Sequence, residues 1–325
     1  MSGFSYDYEA INGRRVITLK YRSEHGDKDD MQIKVAPELG NNLFCFRIKE
    51  HEVVHYDNQF ALTSYYTGNP ILYPIPNRCE NCRYTFEDKR YWQIKNGIPI
   101  YMHSLVYDEN WAYHPPVVTE KGISLETYIK VDKKHPIYQG FPFCHTVTIT
   151  YTLTENGFTM THRVENEDDK NLPFGISYHT FFSKLSGDDG TKLTVPARFM
   201  MELTDALLPT GKLLEVEGQP FDLRRAVSVG TLDLDNCFTG TDRGVPVVID
   251  YTTIGLRIFM NSTDDYTHVQ VFTPPGKPFI CVEKQTSSTD AMNLSTKGFQ
   301  NEAHLLVVEP GKQHAGSVSF GYEFY

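Results

Sequence analysis

Five short stretches of this chain place histidine, carboxylate or arginine side chains where an ordinary loop or strand would not need them. Gly68 to Arg78 is a proline-rich apolar stretch that lands on Asn77-Arg78. Ile100-Tyr101-Met102-His103-Ser104 carries a histidine and is followed by Trp111. Leu172 to Phe182 sets His179 among aromatic residues, and Leu234-Asp235-Asn236-Cys237-Phe238 holds an aspartate. The apolar run Phe279-Ile280-Cys281-Val282 ends on Glu283. Asp235 alone is an ordinary turn former, and a lone His103 or His179 is more often a hydrogen-bonded core or rim residue. Glu283 is harder to explain away, because a carboxylate on an apolar strand is costly to bury unless it is paired or needed. Histidine and glutamate together are the side chains of general acid–base work. Taken one at a time, none fixes a mechanism.

Other chemistries find little footing. One H-E-x-x-H match occurs, His51-Glu52-Val53-Val54-His55, but that motif brings its histidines together on a helix and a strand is expected here, and no zinc-type His/Cys spacing occurs. There is no G-x-S-x-G and no phosphate-binding glycine loop. Cys79 and Cys82 form one C-x-x-C, but no second pair and no βαβ pattern accompanies it. The six cysteines read as free thiols in a reducing compartment.

The elements that must position these residues are strands. Val147, Ile149, Tyr151 and Leu153 alternate with threonines, then Phe158, Met160, His162 and Val164 alternate again across Glu155-Asn156-Gly157. This predicts a long hairpin over 143–166, with Asn-Gly supplying the positive φ angles of a tight turn. A second hairpin is expected at the C-terminus, from His304–Val308 through Glu309-Pro310-Gly311-Lys312 to Val318–Phe324. Shorter strands are expected at 15–20, 31–35, 42–48, 52–56, 126–131, 246–251, 256–261, 267–272 and 279–283. A short helix or turn fits near 58–64 and 204–208. No 3.6-residue period runs over three turns. Many strands with frequent turns predict an all-β chain, a large antiparallel sandwich. No linker or repeat divides it, so 1–325 is expected to be one domain.

Composition agrees with this class. Tyr and Phe number 20 each, and aromatics make up 13% of the chain, which favours pleated, half-buried surfaces. A net charge of −10 makes nucleic acid and anionic membrane poor partners. The first ten residues lack the basic start and apolar run of a secretion signal, and no apolar run is long enough to span a membrane, so the expected location is the cytoplasm.

In order along the chain, the segments resemble the galactose mutarotase-like (aldose 1-epimerase) superfamily, from the strand pair around Val35–Phe46 to Glu283 and the following Asp290-Ala291-Met292-Asn293. The resemblance implies a large antiparallel supersandwich and an acid–base isomerase that needs no cofactor or metal. It implies that Glu283 takes the proton of the anomeric hydroxyl and His179 protonates the ring oxygen, assisted by His103. Arg78, Asp235 and Asn77 would hold sugar hydroxyls, and Trp111, ahead of Phe181 and Trp92, would stack on the ring. Two departures stand out. Ser104 replaces the glycine usual after the first histidine, and the His-Gly-Phe-Ala-Arg stretch of relatives acting on hexose 6-phosphates is absent. Arg83 and Arg90 could reach a phosphate, but a neutral monosaccharide is the better fit. A non-catalytic sugar sensor and an epimerase of a modified sugar stay open as alternatives. Neither the sugar nor the oligomeric state is written in the residues.

Overall fold

The period-two runs of the sequence become strands almost residue for residue. The computed structural model describes residues 3–23, 30–57, 68–103 and 105–325. The segment 58–64 and Ser104 fall outside these residues. His145–Thr154 and Gly157–Asn166 pair antiparallel over their full length. Val147, Ile149, Tyr151 and Leu153 are fully buried, while Thr146, Thr150 and Thr152 on the opposite face keep partial contact with solvent. One face buried and one wet is the antiparallel pattern that fixes register.

Three antiparallel sheets dominate the described residues. The first 52 residues contribute five strands in chain order, from Phe4–Ile11 to His51–Glu52. A ten-stranded sheet is built around the long hairpin, with Gln313–Phe324 between Gly157–Asn166 and Leu256–Ser262. An eight-stranded sheet runs Pro209–Glu215, Ala197–Leu203, Asp235–Thr241, His268–Phe272, Phe279–Gln285, Ser177–Tyr178 and Ile71–Leu72, with Thr180–Ser183 also on Phe279–Gln285. All three feed one apolar cluster: Phe158 meets Phe46 with ring centres 4.7 Å apart, and Phe320 meets Phe182 at 6.3 Å. Each fully buried large apolar side chain contributes about 1.5–3 kcal/mol, so this shared core is what holds the sheets face to face.

Four details depart from the sequence expectations. The hairpin loop is Glu155-Asn156, closed by the pair Thr154 and Gly157, and among those residues positive φ belongs to Gly157 alone, at 130°. At the C-terminus, Leu306–Val308 pairs with Leu172–Phe174, not with Gln313–Phe324 as a hairpin would. The Glu309–Lys312 turn thus carries the chain from one sheet to another, a switch that alternation in sequence cannot reveal. The expected strand at 52–56 ends at Glu52, with only Val54 making an isolated bridge to Phe182. Lastly, Ala291–Thr296 and Gln300–Ala303 are short helices, too short to leave a 3.6-residue signature. At 204–208 the chain makes a turn.

Gly157 is required twice over. Its backbone lies in a region that side chains disfavour, and a β carbon there would meet the Phe320 carbonyl oxygen at 2.0 Å. Gly157→Ala is expected to cost roughly 1–3 kcal/mol, measured as a lower urea midpoint with an unchanged slope.

Candidate active site

The strand Phe279–Gln285 is buried on both faces. Ile280 and Val282 turn to the main core, and Cys281, Glu283 and Gln285 turn the other way. Register then decides who meets Glu283. On one side it pairs with Gln270. On the other, the pairs Ser177–Gln285 and Thr180–Val282 bracket His179, which falls opposite Glu283. One step along the same face, Phe181, Cys281, Phe272 and Asp235 form a second row. Strand pairing alone therefore gathers Glu283, His179, Gln270, Phe181, Phe272 and Asp235 on one surface.

Two loop segments close the site from above. Arg78 and Met102 form an isolated bridge, the Cys79 amide donates to the Tyr101 carbonyl, and the His103 amide donates to the Asn77 carbonyl at 2.8 Å. Asn77 and His103 both have left-handed φ, 60° and 62°. Non-glycine residues held this way are a local cost that structures tolerate mainly at functional sites. Asp290 anchors the same loop: its Oδ1 accepts from the Glu80 amide and from Asn293 Nδ2, and its own amide donates to the Arg78 carbonyl. The Asp290–Asn293 segment acts by holding the arginine loop rather than by lining the site. Burial raises the Asp290 carboxyl to about 6.

The result is a cavity of about 160 Å³ lined by Asn77, Arg78, Met102, His103, His179, Phe181, Asp235, Gln270, Phe272 and Glu283. At its floor His179 Nε2 lies 3.3 Å from Glu283 Oε1. The other carboxyl oxygen, Oε2, accepts from Ser177 Oγ at 3.1 Å and Gln285 Nε2 at 3.3 Å. Oε1 is thus the oxygen left to exchange a proton. The His179 ring stacks on Phe181, with centres 4.5 Å apart and planes 7° apart, and meets His103 edge-on at 5.1 Å. At the rim Arg78 donates to Asp235 Oδ2 at 3.0 Å and to Asn77 Oδ1 at 3.0 Å, while Gln270 Nε2 donates to Asp235 Oδ1 at 2.8 Å.

Burial dominates the electrostatics. It lifts the Glu283 carboxyl to about 8, helped by the charge of Asp235 and opposed by the hydrogen bonds and by Arg78. It pushes His179 well below the ordinary imidazole range, with His103 adding to the effect, and lowers His103 to about 4, with Arg78 adding to it. At neutral pH the facing pair is therefore a carboxylic acid and a neutral imidazole rather than an ion pair. Acid plus imidazole and carboxylate plus imidazolium contain the same number of protons, and one transfer across the 3.3 Å gap interconverts them.

Of the residues singled out in the sequence, Glu283, His179, His103, Arg78, Asp235, Asn77 and Phe181 come together here. Trp111 does not. It is 3% exposed in the main core, where its bulk is more useful than at a wet rim. Trp92 is on the surface under the Arg83 guanidinium, 3.8 Å from its ring centre, and neither Arg83 nor Arg90 lines the cavity. Cys79 and Cys82 are free, like the other four cysteines. Sequence reasoning missed Gln270, Phe272, Met102, Ser177 and Gln285. A glutamine between valines in a strand, as at Val269-Gln270-Val271, was the one local signal available. Among the described residues one other histidine–carboxylate group is tight enough to share an ion, His162, Asp265 and His314, and its two histidines already hydrogen-bond each other.

Comparison with known proteins places these features. A family profile described as aldose 1-epimerase matches residues 26–321. Galactose mutarotase from Sus scrofa is 26% identical over 161 residues, and that from Homo sapiens is 25% identical over 165. These alignments take in 48% and 49% of this chain but only 45% and 46% of the relatives. Among solved structures, a galactose mutarotase-like protein from Clostridium acetobutylicum superimposes with a TM-score of 0.84 at 18% identity, covering 99% of each chain. Galactose 1-epimerase from Lactobacillus acidophilus gives 0.78 at 14% identity, covering 100% of this chain and 99% of its own. At these identities the structures establish a shared antiparallel all-β fold.

The buried carboxyl has a measurable cost. The folded-state pKa of Glu283, about 8, lies above an unfolded value of about 4.3. Its contribution to stability is thus full below pH ~4.3 and lost as pH rises through 8. Glu283→Gln keeps the shape and the partners on Ser177 and Gln285 without an ionisable proton. The variant is expected to melt above the native protein at pH 8, with the gap shrinking toward pH 4.5. Calorimetric scans across that range check the sign.

Proposed function

Because the chain belongs to the aldose 1-epimerase family, we propose that it interconverts the α and β anomers of a free aldose, with Glu283 and His179 as the proton-transfer pair. The observation that carries this is the 3.3 Å approach of Glu283 Oε1 to His179 Nε2 at the floor of a polar cavity. The anomeric hydroxyl and ring oxygen of a hemiacetal are bonded to the same carbon, so two adjacent groups can each reach one of them. Glu283 as carboxylate takes the hydroxyl proton, the C1–O1 bond gains double-bond character, and the C1–O5 bond breaks as O5 takes a proton from His179. The open chain turns about C1–C2 and closes with both transfers reversed. In the open-chain state the pair is acid plus imidazole, the form that burial favours. Each positioned proton transfer is worth ~10²–10⁴-fold.

Arg78, Asp235, Asn77 and Gln270 supply donors and acceptors for ring hydroxyls, His103 stands beside His179 to assist at the ring oxygen, and Phe181 and Phe272 offer apolar faces. Arg78 is already neutralised by Asp235, and among the described residues no other lysine or arginine lines the cavity, which favours a neutral sugar over a sugar phosphate. We take 1–325 as one catalytic domain, since one apolar cluster draws on residues from Phe4 to Phe320. Six free cysteines support a cytosolic location. No described helix is long and apolar enough to cross a membrane.

Polarimetry or NMR exchange on freshly dissolved anomers of galactose, glucose and other aldoses tests the reading. At least one sugar should equilibrate faster than in buffer. Binding without faster exchange for every sugar would make this a sensor. Glu283→Gln should lose at least ~10²-fold in kcat while sugar binding changes little. The pair needs its one shared proton, so kcat should fall as pH rises through about 8, where Glu283 ionises. A flat rate to pH 9.5 would remove Glu283 from the mechanism.

A further inference from the structure

Lys284 follows Glu283 on the same strand and so points to the opposite face of the sheet. The residue is 3% exposed. Among the described residues its ammonium makes no hydrogen bond or ion pair, and burial is the sole influence on its pKa, lowering it to about 8. A buried cation without a counter-charge is costly, and proteins seldom keep one that nothing uses. At neutral pH it still carries its proton for most of the time.

The ammonium-bearing side chain lines a cavity of about 240 Å³, larger than the one at Glu283 and sharing no residue with it. The other carboxylates and guanidinium on its wall are Asp242, Asp264 and Arg243. Arg243 and Asp264 pair with each other at 3.2 Å, both largely exposed, and Asp242 lies between strands. The rest of the wall is mostly polar and includes His304, whose Nδ1 is bonded to the Thr286 carbonyl, while Asn261, Ser262 and Asn301 have side chains that make no hydrogen bond among the described residues. A single buried positive charge beside hydroxyl and amide groups forms a receptor of two kinds of partner. Such a receptor suits a ligand with an anionic head and a hydroxylated body.

We propose that this cavity is a second ligand site, taking a small hydroxylated oxyanion whose charged oxygens rest on Lys284 Nζ. The head group is a phosphate or a carboxylate, since both present the oxygens an ammonium requires. The site is independent of the sugar chemistry proposed at Glu283, and either can fail without the other.

Calorimetric titration with inorganic phosphate, with D-glycerate and with uncharged glycerol tests it. At least one of the two anions should bind the native protein and glycerol should not, the responding anion identifying the head group. Lys284→Met, which keeps the apolar stem, should weaken that binding at least about tenfold, and Glu283→Gln should leave it unchanged. Failure of both anions to bind, or equal binding to Lys284→Met, overturns the proposal. A second measurement needs no variant: trace acetylation of the native protein at pH 8, read by peptide mass spectrometry. The bound anion should protect Lys284 several-fold relative to surface lysines. A Lys284 unlabelled in the free protein, or labelled equally with and without the anion, overturns the proposal as well.

Discussion

The site depends on one constraint, a carboxyl group embedded in a strand that is covered on both faces. Burial raises the proton affinity of Glu283 there, against the hydrogen bonds of Ser177 and Gln285 on one oxygen, while His179 faces the other. Those neighbours are not placed by separate devices. They follow from the antiparallel register of Ser177–Tyr178 and Thr180–Ser183 against Phe279–Gln285, which in turn is locked by Ile280, Val282 and Phe182 in the main core. A slip of one residue would turn Glu283 into the core and Lys284 into the cavity that Glu283 now lines. Packing on one face of the strand therefore guarantees chemistry on the other.

Much of this was legible in the residues. Strict alternation marked the long hairpin because one of its faces is wet. The same rule would have failed for Phe279–Gln285, which is buried throughout, and there the odd carboxylate was the signal instead. Trp111 shows the limit of ordered resemblance: sequence position near His103 does not fix which way a ring points, and the core had more apolar surface to offer it than the cavity. The Leu306–Val308 strand shows another. A turn in sequence says that the chain bends, not which sheet receives the next strand. Gln270 and Ser177 went unseen because neutral polar residues in strands are common, and only cross-strand register shows that these two reach the same carboxyl and its neighbour Asp235.

The polar rim has a different physical basis from the floor. His103, Asn77 and Arg78 sit on loops, the first two in left-handed backbone conformations that carry local strain, held by a handful of amide hydrogen bonds and by the buried Asp290. Asp290 follows the other motif residues in sequence, yet its role is support of the loop. Its Oδ1 accepts from the backbone of the loop it supports and from Asn293. A motif can be ordered along the chain because one part of it holds another in place.

This division between sheet-borne floor and loop-borne rim bears on how such a chain can change over time. Substitutions in the segments around Arg78 and His103 re-aim the groups that would recognise one hydroxyl pattern over another, yet leave the register beneath untouched. The rim can change without risking the approach of Glu283 to His179. The reverse is closed, since any change that shifts the Glu283 strand disturbs the core common to all three sheets. The architecture makes the rim easy to vary and the buried floor hard to lose.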